Sequence, residues 1–214
     1  MQADVAASPL AHHFENLEKQ QHAARLGMWL FLATEVLLFT ALFAGYGVYR
    51  YLYADAFVAA SHHLHTGIGL TNTIVLITSS FTVAVGLDQA AQGKPKNTFY
   101  LFYFSILLGL VFMGFKAYEY NHHFHEGMLP GRFYTWEGIG NGPGGPIYFA
   151  LYYLITGLHA IHVMIGMTVL AIIGWKARSG KYTPQYYVPV ELAGLYWHLV
   201  DLIWIFVFPL IYLA

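Results

Sequence analysis

The chain has 214 residues, of which 57% are hydrophobic and only 10% charged, and its net charge is −1. An average soluble domain carries about 25% charged residues, so this composition excludes a water-soluble globule and points to an integral membrane protein. The balanced charge argues against nucleic acid as a partner, and the absence of cysteine removes CxxC, CxxCH and every other thiol site.

Residues 1–25 form a polar amino-terminal segment (Asp4, His12, His13, Glu15, Glu18, Lys19, His22) without the apolar stretch of a cleaved signal peptide. Apolar runs of about 20 residues then predict five membrane-crossing helices. The first covers about 26–49, between Arg25 and Arg50, with Glu35 as its only charge. The second covers about 67–87 and is stopped by Asp88 and the turn Gly93-Lys-Pro-Lys96. Its Thr71-Asn-Thr73 and Thr78-Ser-Ser80 suit close helix packing through short hydroxyl side chains. The third covers about 97–120 and carries Lys116 and Glu119, spaced to pair as an anchor near its outer end. The fourth covers about 147–175, follows the breaker Gly142-Pro-Gly-Gly-Pro146, and holds His159 and His162. The fifth covers about 189–213 and holds Glu191, His198 and Asp201. With no internal repeat or second domain, the expected fold is all-α: one bundle of five helices.

Five crossings put the termini on opposite sides. Lys19, Arg25, Lys94, Lys96, Lys176, Arg178 and Lys181 fall on the amino-terminal side, against Arg50, Arg132 and Lys116 on the other. By the positive-inside rule the N-terminus is cytoplasmic and the C-terminus external. The longest connection, Asn121–Pro146, is then external. Trp29, Trp175, Trp197 and many tyrosines fall nearer span ends, as an aromatic belt would. Arg25, Arg178 and Lys181 are the candidates for holding lipid headgroups.

At about 1.5 Å per residue from the cytoplasmic helix ends, Glu35 and His198 lie roughly 14 Å deep, Asp201 roughly 18 Å and His162 roughly 20 Å. His159 lies one turn beyond His162. Ionisable groups in hydrocarbon must face protein, pair or stay neutral. His198 and Asp201 share a helix face and can bond each other or neighbouring helices. The slab is either a buried polar cluster that carries protons or polar glue between helices. His159 and His162 with His198 could also share a metal, but no repeated His spacing marks a haem site. Outside the hydrocarbon, His12, His13 and His22 are cytoplasmic, and His62, His63, His65, His122, His123 and His125 external. Imidazoles exchange protons near neutral pH, so such clusters collect protons, bind metal, or simply solvate the interface.

Five motifs, in order, resemble one known family. Gly27-Met-Trp-Leu-Phe-Leu-Ala-Thr-Glu-Val-Leu-Leu-Phe39 resembles the Glu-bearing helix of cytochrome c oxidase subunit III. Thr71-Asn-Thr-Ile-Val-Leu-Ile-Thr-Ser-Ser80 looks like its next helix, and Leu108-Gly-Leu-Val-Phe-Met-Gly114 with Tyr118-Glu-Tyr120 like the one after. Thr156-Gly-Leu-His-Ala-Ile-His-Val-Met-Ile-Gly166 resembles the TGxHxxHVxxG signature, and Tyr196-Trp-His-Leu-Val-Asp-Leu-Ile-Trp204 the final YWHxVDxxW helix. The chain resembles the five-helix form, which lacks the first two helices of longer members, where those helices fold away to leave a lipid-filled cleft. Leu195 stands where an aromatic is common.

The resemblance implies a subunit beside subunit I and subunit II of a haem–copper oxidase in the bacterial inner membrane, compatible with a larger respiratory supercomplex. That complex reduces oxygen to water and pumps protons. Haem and copper belong to the partner subunits, and this subunit holds none. It stabilises the assembly, supports proton uptake and durable turnover, and is a place for bound phospholipid. The family's relatives include subunits of quinol oxidases and nitric-oxide-reductase-associated subunits; Glu35 and the His159/His162 pair lean toward the cytochrome c type. Two other classes differ in what they predict: a stand-alone proton or solute carrier, which calls for an inverted repeat not seen here, and a di-haem membrane anchor, which calls for a Soret band from the isolated chain.

Overall fold

The computed structural model describes residues 10–136, 138 and 142–213; Asp4 and the side chain of Arg132 lie outside what is described. The described chain is helical: α1 (Leu17–Leu52), α2 (Ala54–Ser61), α3 (Thr66–Ala91), α4 (Pro95–His125), α5 (Gly144–Arg178) and α6 (Val188–Tyr212), with one 3-10 turn at Gly131–Phe133. Five are long and apolar enough to cross a membrane; α2 is not. The helices α1, α3, α4 and α5 overrun the apolar runs that predict them, because polar flanks such as Leu17–Arg25 continue the backbone ladder where water can solvate side chains. Residues 17–25 of the polar segment are therefore helical, and His22 stands on α1.

Local chemistry sets the helix ends. Asn16 caps α1, its side-chain oxygen accepting the Lys19 N–H at 2.8 Å. Pro95 opens α4, where its missing N–H would have no helical partner. Gly127 ends α4 at φ +75°, a left-handed conformation that a side chain would strain. This lets the Met128 N–H reach the His123 carbonyl (3.0 Å) and the Gly127 N–H reach Phe124 (3.4 Å), and Met128 folds back fully buried.

The helices α3 to α6 pack as a four-helix square in which each touches two neighbours, and α1 lies outside on the seam of α5 and α6. Hydroxyl groups set the register. Thr98 on α4 donates to the Gly86 carbonyl on α3 (3.1 Å), and Trp197 and Trp204 on α6 donate to Ser79 (3.0 Å) and Thr73 (3.1 Å) on α3. Lipid offers no hydrophobic drive between helices, so close approach and such bonds supply the adhesion. Trp197 is fully buried, not part of an interfacial belt. Its indole fills the space left by Gly109 and Gly166, where an added Cβ would stand 3.2 Å and 2.7 Å from the ring. Trp29 and Trp175 do face outward.

The bundle has two ends. The N-terminal face holds the start of α1 and the α3–α4 and α5–α6 turns. The C-terminal face holds α2, the long α4–α5 connection and the end of α6. The short α2 carries Phe57 under Tyr46 and Tyr148, closing the bundle there.

Candidate functional site

The outer helix α1 presents little buried surface, and what it buries forms one stripe: Leu32, Phe39 and Tyr46, with Met28 and Leu42 packed alongside. These positions step by three and four residues, so they share a face. Glu35 occupies the next position of that stripe and is carried into the α1–α5 contact. Its Oε2 lies 2.9 Å from His162 Nε2, with side-chain exposures of 15% and 9%. The edge of Phe39 shields the imidazole at 5.3 Å between ring centres.

The other ring nitrogen decides the protonation chemistry. His162 Nδ1 lies 2.8 Å from the Leu158 carbonyl, which can only accept, so Nδ1 carries a hydrogen. The contact between Nε2 and Glu35 must then contain one shared proton. It is either a neutral carboxyl donating to a neutral imidazole or a carboxylate accepting from an imidazolium. Both forms carry the same net charge, so the proton can shift between the partners without adding charge to the membrane interior.

The remaining residues of the predicted slab do not converge on this pair. His198 and Asp201 share a helix but do not bond each other. The α3 hydroxyl of Ser80 lies 2.6 Å from His198 Nδ1, taking the bond that helix spacing alone offered to Asp201. Asp201 is buried beside the same Ser80. His159 is fully buried between Phe112 and Trp204, at 5.6 Å and 5.2 Å between ring centres.

Glu191 is not part of the slab. It is half-buried at the first turn of α6, where Arg25 grips it through Nε and Nη2 at 2.8–3.1 Å. That bidentate clasp ties the start of α1 to the start of α6 and occupies the guanidinium that the sequence assigns to a lipid headgroup. Arg178 is exposed and lies 4.9 Å over the Phe99 ring, and Lys181 is exposed in the α5–α6 turn. His12, His13 and His22 are exposed on the N-terminal face.

A second cluster is legible in the sequence only as a pair of charges. Lys116 and Glu119 do pair, at 2.8 Å, but inside the bundle, with side-chain exposures of 3% and 0%. Lys116 Nζ also donates to the hydroxyls of Tyr152 (3.0 Å) and Tyr212 (2.9 Å), and Tyr212 donates to both Glu119 oxygens at 2.8 Å. The rings of Tyr120, Tyr152, Trp204 and Tyr212 surround the ammonium at 4.9–5.5 Å. Every donor of Lys116 is used, as a buried charge requires. The spacing of Lys116 and Glu119 announces the pair, but nothing local announces two tyrosines 36 and 96 residues away.

Both nitrogens of His162 are committed, Nδ1 of His198 is on Ser80, and His159 is enclosed by aromatic rings. Among the described residues no three His, Asp or Glu side chains are placed to hold a metal ion.

Comparison with known proteins matches residues 6–214 to the family described as cytochrome c oxidase subunit III. The chain is similar to quinol oxidase subunit 3 of Bacillus spizizenii, 30% identical over 92% of this chain and 91% of that one. It is 31% identical to cytochrome c oxidase subunit 3 of Corynebacterium diphtheriae over 87% and 86% of the two chains. It is also 28% identical to cytochrome c oxidase subunit 3 of Thermostichus vulcanus over 100% and 98%.

Proposed function

The chain belongs to the cytochrome c oxidase subunit III family, and from that membership we propose that it is the non-catalytic third subunit of a proton-pumping haem–copper oxidase in a bacterial inner membrane. The observation that carries the reading is the family match over nearly the whole chain. In this reading haem and copper sit in the partner subunits, and this chain packs directly on subunit I, in a complex with subunit II and bound phospholipid. The N-terminal face is cytoplasmic, which the charge bias of the loops supports. His12, His13 and His22 then lie where protons are drawn in, and they raise the local supply at the uptake entrance. A cytochrome c donor is the first reading. A quinol donor is the second, favoured by the Bacillus relative, since the donor site belongs to other subunits.

Purified oxidase with and without this chain tests the proposal. Both preparations should show the same haem content and the same initial oxygen turnover per haem. The preparation lacking the chain should lose activity sooner during continuous turnover, and most clearly at high pH, where bulk protons are scarce. Loss of haem with the chain, or identical lifetimes, contradicts the reading.

A further inference from the structure

Several buried polar groups in the half of the bundle next to the C-terminal face remain without a protein partner. Both ring nitrogens of His159 and both of His123 make no hydrogen bond among the described residues, though each residue is fully buried. The hydroxyls of Tyr153 and Tyr134, on half-buried residues, likewise lack a partner among the described residues. A neutral imidazole has one donor and one acceptor, and buried polar groups are ordinarily satisfied by protein or by ordered water.

Two of them, His159 and His123, flank the Lys116–Glu119 pair. His159 lies one turn from His162 on α5. Its ring is 5.2 Å from Trp204, and Trp204 is 5.5 Å from Lys116 Nζ. Lys116, Tyr212 and Glu119 are joined by bonds of 2.8–2.9 Å. His123 stands one turn beyond Glu119 on α4, its ring 5.5 Å from Tyr152, which itself bonds Lys116. It feels Glu119 and Lys116 on the inner side and Glu126 and His122 on the outer. His122 and Glu126, 3.2 Å apart, are partly exposed on the C-terminal face.

We propose that these residues form a water-bridged proton-exchange path connecting the Glu35–His162 pair to the C-terminal face. The path is balanced at each step. Lys116 passes a proton to the Tyr152 hydroxyl, which releases its own toward His159, and Lys116 becomes an amine. The Glu119 carboxylate takes a proton arriving through His123 and becomes a carboxyl. Tyr212 passes its hydroxyl proton to the Lys116 amine as its oxygen takes the one on Glu119. Each group ends as it began, and one proton has moved inward. The same steps reversed carry a proton outward. The path uses groups that the assembly reading leaves idle, and it stands whether the donor is cytochrome c or quinol.

The test is hydrogen–deuterium exchange at the Glu35–His162 pair, followed by infrared spectroscopy of the intact complex in native-membrane nanodiscs. Deuteration shifts a band in either protonation form, the carboxyl stretch or an imidazolium ring mode, and a Glu35→Gln difference spectrum assigns it. Lys116→Met with Glu119→Leu replaces a buried ion pair by apolar residues of similar volume, a change often neutral for folding. His159→Leu interrupts the path separately. Each should slow exchange about tenfold, equivalent to about 1.4 kcal/mol of barrier. Ser105→Ala, which removes a buried α3–α4 hydroxyl contact nearer the N-terminal face, should exchange at the parent rate. Exchange at the parent rate in both path variants overturns the proposal, as does equal slowing by Ser105→Ala. If the double variant fails to assemble, His159→Leu and His123→Leu decide between the same two results.

Discussion

At Glu35 the chemistry of the partner decides what a substitution does. His162 keeps its Nδ1 hydrogen on Leu158, so its Nε2 can accept from a neutral donor. Glu35→Gln supplies such a donor from its amide and should hold the melting temperature of the detergent-solubilised complex close to the parent's. Glu35→Leu leaves Nε2 buried and unpaired, at a cost of about 1–3 kcal/mol, and should release the subunit at a lower detergent concentration. Equal retention of the two variants contradicts the pairing. The sequence marks both residues as intramembrane and ionisable, but depth estimates set them roughly 6 Å apart and carry no information on which helices are neighbours. The partner of His198 is hidden for a similar reason. The spacing to Asp201 is visible in the chain, whereas Ser80 comes from another helix and competes successfully.

At the scale of the helices, close approach is set by glycines facing rings, and the difference between glycines is measurable. Gly166 meets the indole of Trp197, which is held in place by its bond to Ser79. Gly166→Ala should therefore destabilise by about 1–3 kcal/mol, because the ring has nowhere to move. Gly114 meets nothing within 4 Å, so Gly114→Ala should be neutral or slightly stabilising through helix propensity. A paired thermal-denaturation series on the two variants distinguishes them, and equal melting temperatures would contradict the packing described. The existence and approximate extent of the five long helices are legible because apolar runs of that length have few alternatives. The short α2 is not, since eight residues between turns give too brief a pattern. Trp197 reads as interfacial from the chain alone, but α6 starts at Val188 and carries the indole well inside.

For the whole molecule, α1 is held by separated clasps instead of a broad core: Arg25 on Glu191 near the N-terminal face, Glu35 on His162 midway, and Tyr46 against Phe57 and Tyr148 near the C-terminal face. Its outward face exposes Trp29, Leu30 and Leu37, each more than half exposed, which suits lipid or a neighbouring subunit. Polar clasps inside and apolar surface outside suit the assembly role proposed for the chain. Mild-detergent purification of the tagged chain from its native membranes, with polypeptides identified by mass spectrometry and haem by visible spectra, measures this directly. The chain should be recovered with oxidase subunits I and II in equal amounts, with a haem spectrum from the complex and none from the chain once separated. Recovery of the chain alone, or with a stoichiometric haem of its own, would contradict it.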